Sequence, residues 1–289
     1  IIIQKGGIIM YPEINIFGLE IPSYGVMISI GVLCLIGVMF YYFRKEKISD
    51  SKIDRLLMCT AIGGLMMYVS ALFFDALWHN LDTFHKTGVF KWEWWGITFS
   101  GGLFGGVLTF MIAYWFLFKN ERYKFFYYFN FIITGVVIAH AFGRIGCFLA
   151  GCCYGKITDS PLGMNYPVND YINGHFYEYA HVYPTQLFES GFLFILFIVL
   201  FFVIKKHQLR YYLLSYGTFR FILEFFRGDS RGNTIFGILS PSQFLSVVMV
   251  ILGVLLIFFE DKIVDKLKRK YNPELFEEET AQTENPTEA

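Results

Sequence analysis

Charge is scarce in this chain. Asp, Glu, Lys and Arg make up 17% of its 289 residues, and the two signs balance to a formal net charge of zero. That balance says nothing about partners, because both signs occur in every class of loop; no nucleic-acid partner is expected. There is no internal repeat of the kind that builds solenoids or propellers, and no glycine-rich nucleotide-binding loop. The opening "IIIQKGG" does not begin with Met and is too short for a signal peptide, so Met10 is the expected start and residues 1–9 an extension.

What the chain has in quantity is apolar sequence: 55% of its residues are hydrophobic and 20% are aromatic. They run in blocks of roughly 17–25 residues, the length that crosses a ~30 Å hydrocarbon layer. Lipid offers no partners for backbone polar groups, so continuous runs of this length must be helices. Seven such runs lie at about 22–43, 53–78, 97–118, 126–150, 184–204, 211–226 and 238–259, the sixth short and polar. The fold class is all-α: a polytopic membrane protein of about seven transmembrane helices. Of the 24 basic residues, sixteen fall in one alternating set of gaps and six in the other, with Arg144 and Arg220 inside spans. Cytoplasmic loops carry the excess, so the N-terminus is placed outside and the C-terminus in the cytoplasm.

The expected organisation is an extracytoplasmic segment at 1–21, one membrane domain at 22–259 and a cytoplasmic tail at 260–289, basic and then acidic and disordered. Within the membrane domain, an outer segment at 151–183 is rich in Asp, Asn, Pro and Gly, and little regular structure is expected there.

Ionisable residues inside the spans carry the information, because an Arg at a helix centre costs about 2.5–3.5 kcal/mol and needs a cavity or a partner. His140, Arg144, Cys147 and Gly151 follow one another at helical spacing and form a stripe. Tyr216, Arg220, Glu224 and Arg227 do the same in "YGTFRFILEFFRG". With Tyr24, Ser100, Gln186 and Glu189 these groups belong to outward helix ends, and a shared depth suits a phospholipid headgroup held between two guanidinium forks. Plainer readings exist for each. Arg220 and Glu224 neutralise one another one turn apart, His140 is a hydrogen-bonded core residue, and the glycines of "SGGLFGG" are packing devices.

Five cysteines complete the inventory. Cys34 and Cys59 are small core residues. Cys147, Cys152 and Cys153 form C-x4-C-C near the outer face, as a disulfide or a packed set of thiols. One short C-x4-C pair without a second is a weak zinc signature, so no metal is expected, although His175 and His181 lie nearby. A redox reading makes the chain a membrane thiol-disulfide oxidoreductase using Cys152 and Cys153, but leaves the buried arginines without a task.

In order along the chain, "SYG", "SGGLFGG", "GRIGCF...G...YG", "YPTQLFE", "YGTFRFILEFFR" and "SPSQFLS" resemble the motifs of the prolipoprotein diacylglyceryl transferase family. The resemblance implies a seven-span enzyme of the bacterial cytoplasmic (inner) membrane that needs no cofactor. It would move a diacylglyceryl group from phosphatidylglycerol to the lipobox cysteine thiol in a prolipoprotein signal peptide, releasing glycerol phosphate. It further implies that Arg144 and Arg220 hold the phosphate, while Tyr24, Gly101, Gly102, Gly155, Glu189, Tyr216 and Glu224 line the site among membrane lipids. The chain departs from the family at three positions. Ser100 stands where a His is usual before the two glycines, Cys147 where Asn is common, and Cys152 where an acidic residue is common. His140, one turn before Arg144, is therefore the candidate replacement base; a non-catalytic lipid-binding relative is the remaining alternative.

Overall fold

Each apolar run contains a helix. The computed structural model describes residues 12–16, 18–90, 92–94, 96, 99–172, 175–228 and 239–277. A short hairpin of β1 (Glu13–Ile16) and β2 (Leu19–Pro22) leads into α1 (Ser23–Lys45), and the Ser23 N–H and hydroxyl both donate to the Pro12 carbonyl, at 2.9 and 3.1 Å. Then come α2 (Asp50–Thr87), α3 (Phe99–Leu117), a 3-10 turn at Arg122–Lys124 and α4 (Phe125–Leu149). After the antiparallel strands β3 (Met164–Ile172) and β4 (His175–Val182) follow α5 (Thr185–Ile198), ending in a π-helical turn at Val199–Val203, α6 (Gln208–Glu224) and α7 (Pro241–Tyr271).

Among the described residues, five segments are long and apolar enough to cross a membrane: Ser23–Lys45, Asp50–Leu81, Arg122–Leu149, Thr185–Val203 and Pro241–Tyr271. Gly101–Leu117 is a shorter apolar helix, and α6 is 17 residues long with polar groups along it. At 1.5 Å per residue, the 23 residues of α1 reach about 35 Å, and Arg44 and Lys45 end the helix where its carbonyls favour positive charge. Leu33, Phe202, Val203 and Phe258 are exposed, which suits a lipid solvent. The chain is a multi-pass, mostly helical membrane protein.

The chain divides into two compact units: Ile1–Tyr42 with Phe126–Glu260, and Phe43–Phe125 with Asp261–Ala289. In the first, α4 is the spine. Its Ile133, Val137 and Ala141 pack with Leu193 and Leu196 of α5, Tyr212 and Tyr216 of α6 and Met249 of α7. Lipid tails are as apolar as these side chains, so association rests on close packing, and small residues allow it. A side chain at Gly31 would meet the Ala139 backbone, and one at Gly135 would meet Leu35, so α1 and α4 lie nearly backbone to backbone. Asn130 of α4 accepts the Leu209 N–H at 2.8 Å and so satisfies an unpaired donor in the first turn of α6.

In the second unit α2 and α3 run antiparallel, Gly63 lying against Gly106 and Phe110 while Phe74 lies against Gly101. Asn80 mimics a strand partner there, accepting the Glu93 N–H at 3.0 Å and donating to its carbonyl at 2.8 Å. Arg122 is held between the rings of Trp115 and Tyr271.

Two expectations need correcting. The 151–183 segment is largely a hairpin, with Met164 opposite Val182 and Ile172 opposite His175, over a small core of Tyr166, Val168, Ala180 and Val182. Asn173-Gly174 between the strands is the sequence signal for it. Helix α7 continues past residue 260 through the basic cluster to Tyr271, because Lys266, Lys268 and Arg269 are good helix formers. Residues 278–289 lie outside the described residues.

Candidate active site

One carboxylate gathers three helices. Glu189, in the second turn of α5, has no exposed surface. Its Oε1 accepts the Tyr216 hydroxyl of α6 at 2.7 Å and pairs with Arg144 of α4 at 3.0 Å. The His140 Nε2 lies 3.7 Å from the same oxygen, and its ring meets Tyr216 edge to face at 5.2 Å. A buried carboxylate loses several kcal/mol of hydration, and only a charged partner with good hydrogen bonds makes up that loss. Here Arg144 is the charge and Tyr216 the neutral donor. The arrangement leaves valences open: Arg144 Nε and Glu189 Oε2 are buried and lack a hydrogen-bond partner among the described residues.

A second arginine sits within electrostatic reach of Glu189 and His140. Arg220 of α6 pairs with Glu224 one turn later at 2.7 Å and donates to the Ser242 hydroxyl at 3.1 Å. Glu224 also accepts from the Ser240 hydroxyl at 2.8 Å and lies 4.0 Å from the Arg227 Nε. Ser240 is placed by a capping box. The Gln243 N–H donates to its hydroxyl oxygen at 3.2 Å, the Ser240 N–H donates to the Gln243 Oε1 at 3.0 Å, and Pro241 opens α7. The start of one helix thus fixes the carboxylate at the end of another. Ser240 and Ser242 join the site beyond the expected residues, and the S-P-S-Q capping signature is the sequence signal for them; the buried Arg227, one i, i+3 step from Glu224, extends the stripe.

The other expected residues divide. Tyr24 stands at the start of α1, close against Gly146, and acts electrostatically with Arg144. The fourth-span stripe is shorter than its spacing predicts, since α4 ends at Leu149 and Gly151 turns the chain away with a φ of +80°. Gly101 and Gly102 belong to the second unit and abut Phe74, Met67 and Ala71 of α2, so the structure gives them a packing role. The Ser100 side chain lies outside the described residues. Gly155 is a crossing point: a Cβ there would come within 2.6 Å of the Phe226 carbonyl and 2.7 Å of the Tyr183 carbonyl. Its absent side chain makes room for backbone. Gln186 likewise turns away from the arginines, donating to the Cys152 carbonyl at 2.5 Å and to the Tyr166 hydroxyl at 3.1 Å.

At the end of α4 the three thiols of Cys147, Cys152 and Cys153 lie within 4.8 Å of one another, none of them in a disulfide. Hydrogen bonds from the two neighbouring thiols, with Arg227 alongside, hold the Cys153 thiol below its ordinary range, and the same sharing pushes the Cys152 thiol up. His181 is engaged within the hairpin, 3.2 Å from both the Asn165 side chain and the Ser160 carbonyl. The His175 side chain lies outside the described residues. Further along α1, α4 and α5, an apolar groove of about 450 Å³ is lined by Cys34, Val38, Tyr41, Ile138, Phe142 and Phe201, among others.

The family model described as prolipoprotein diacylglyceryl transferase matches residues 13–259. A phosphatidylglycerol–prolipoprotein diacylglyceryl transferase of Clostridium tetani is 30% identical over 249 residues, covering 83% of this chain and 93% of that protein. A second such transferase, from Clostridium perfringens, is 31% identical over 251 residues, covering 84% and 92%. One from Campylobacter lari is 32% identical over 264 residues, covering 85% and 91%. The chain belongs to the prolipoprotein diacylglyceryl transferase family.

Proposed function

We propose that this protein transfers the diacylglyceryl group of phosphatidylglycerol to the thiol of a prolipoprotein's lipobox cysteine, releasing glycerol phosphate, in the outer half of a bacterial cytoplasmic membrane. The relatives carry that activity in their names. The observation that carries the reading is the pair of buried arginines on separate helices. Each is braced by a carboxylate, and Arg144 and Glu189 keep unfilled hydrogen-bonding positions. A phosphate oxygen completes the Arg144 fork, since guanidinium groups match its oxygens, and a hydroxyl of the glycerol headgroup donates to the Glu189 Oε2.

The acceptor thiol gives its proton to His140, whose imidazolium is then compensated by Glu189. The thiol sulfur bonds to the diacylglyceryl carbon that carries the phosphate oxygen, and that carbon–oxygen bond breaks, its electron pair leaving with glycerol phosphate. Arg144 and Arg220 stabilise the charge that grows on that leaving group, and fixed positive charge in a dry site acts most strongly there. Glu189 and Tyr216 hold Arg144, while Glu224, Ser240 and Ser242 hold Arg220. Tyr24 stands at the headgroup, and the groove beside Ile138 and Phe142 suits an acyl chain. The basic gaps on the opposite side put the N-terminus outside, the side on which a precursor thiol arrives.

Expression in a bacterium depleted of its own diacylglyceryl transferase tests the reading. The wild-type chain restores prolipoprotein modification, and the R144A and R220A variants do not. A chain that binds phosphatidylglycerol yet fails to complement would be a non-catalytic relative. Function lost in a C147S/C152S/C153S variant but kept in R144A would instead mark a thiol-disulfide oxidoreductase.

A further inference from the structure

We propose that Cys147, Cys152 and Cys153 form a three-thiolate site for a zinc-class soft cation at the outward end of α4, its fourth position taken by water or an exogenous thiol. The three sulfurs lie within 4.8 Å of one another. Bonds of about 2.3 Å to a tetrahedral zinc require sulfurs about 3.8 Å apart, so a small contraction brings them into range. Cys147 and Cys152 stand at C-x4-C spacing, but no second such pair follows, so the sequence alone gives only a weak zinc signal. Backbone geometry supplies the third ligand instead: Gly151 at φ +80° and Cys153 at φ +65° fold the chain back, so that two adjacent residues direct sulfurs toward Cys147 in the last turns of α4.

The fold holds that turn from outside. The Cys152 N–H donates to the Cys147 carbonyl at 3.2 Å, and the Cys153 carbonyl accepts the Thr185 hydroxyl at 2.9 Å. Gln186 binds the Cys152 carbonyl, and the Tyr166 hydroxyl beside it donates to the Phe148 carbonyl at 2.9 Å. Residues around a metal commonly orient its ligands in this way. Three thiolates and a dication carry one net negative charge, and Arg227 lies alongside Cys153 to balance it. An all-sulfur set selects zinc or copper(I) over magnesium or calcium. Cys152 is exposed and the other two thiols are partly exposed, so a cation has a way in and the fourth position faces outward. The site stands whether or not the transferase reading holds.

The test uses the full chain, purified in detergent under reducing conditions and freed of metal. Titration with cobalt(II) should bind one equivalent with a strong thiolate-to-cobalt charge-transfer absorption. Zinc should displace it and raise the thermal unfolding midpoint, and the C147S/C152S/C153S variant should show neither effect. If that variant does not fold, C152S replaces it, with cobalt affinity expected to fall at least tenfold. A protein with all three thiols titratable but no charge-transfer band would overturn the proposal. So would mass spectrometry showing that Cys147 pairs with Cys152 or Cys153 in a disulfide that reforms once reductant is withdrawn, even with zinc present.

Discussion

Replacing Glu189 by alanine is the sharpest test of how the site is held. The substitution removes the carboxylate on which Arg144, Tyr216 and His140 converge, and it leaves the Arg144 side chain, 11% exposed, without its ion-pair partner. Removing one member of a buried pair costs about 3–5 kcal/mol, most of it the burden of an uncompensated charge. Glu189→Gln keeps the shape and an acceptor for Tyr216 but not the charge, so its cost should be smaller, about 1–3 kcal/mol. Arg144→Met leaves a buried carboxylate and should cost as much as E189A. In the double variant both charges are gone, so the losses should fall short of additive by about 0.5–3 kcal/mol. Denaturant unfolding of the four proteins in one detergent, followed by tryptophan fluorescence, measures the cycle. An E189A loss under ~1 kcal/mol, or additivity within ~0.5 kcal/mol, would show that the pair does not hold the site together.

Other substitutions separate chemistry from scaffolding. Arg220→Ala should lower transfer to a lipobox peptide by about 10²–10³-fold, with Arg220→Lys restoring only part because a point charge lacks the fork. His140→Gln should abolish transfer while phosphatidylglycerol binding and the unfolding transition stay as in the wild type; unchanged turnover would remove His140 from the mechanism. Gly155→Ala should destabilise by about 1–3 kcal/mol, since its Cβ would press on two backbone carbonyls. Gly191→Ala, on α5 with nothing within 4 Å, should be neutral or stabilising by thermal melt. Ser240→Ala should cost about 1 kcal/mol through the lost cap of α7, and should lower turnover through Glu224 more than stability alone explains.

The helices could be read from the sequence because lipid leaves the backbone no alternative, and an uninterrupted apolar run carries that constraint in composition alone. The stripes could be read for a similar reason: His140 to Arg144, and Tyr216 through Arg220 to Glu224, are neighbours through the 3.6-residue period of a single helix. Charge scarcity did the rest, since an arginine inside a span marks a site wherever it occurs. Partners across helices obey no such local rule. That Glu189 rather than Glu224 receives Arg144, that Ser240 braces Glu224, and that Gly155 serves a backbone crossing all depend on contacts between residues 16–71 positions apart. The same holds for the thiols. C-x4-C-C spacing specifies no geometry once the helix has ended, and it took two positive φ angles, with Thr185 and Gln186 holding the turn from α5, to bring three sulfurs together.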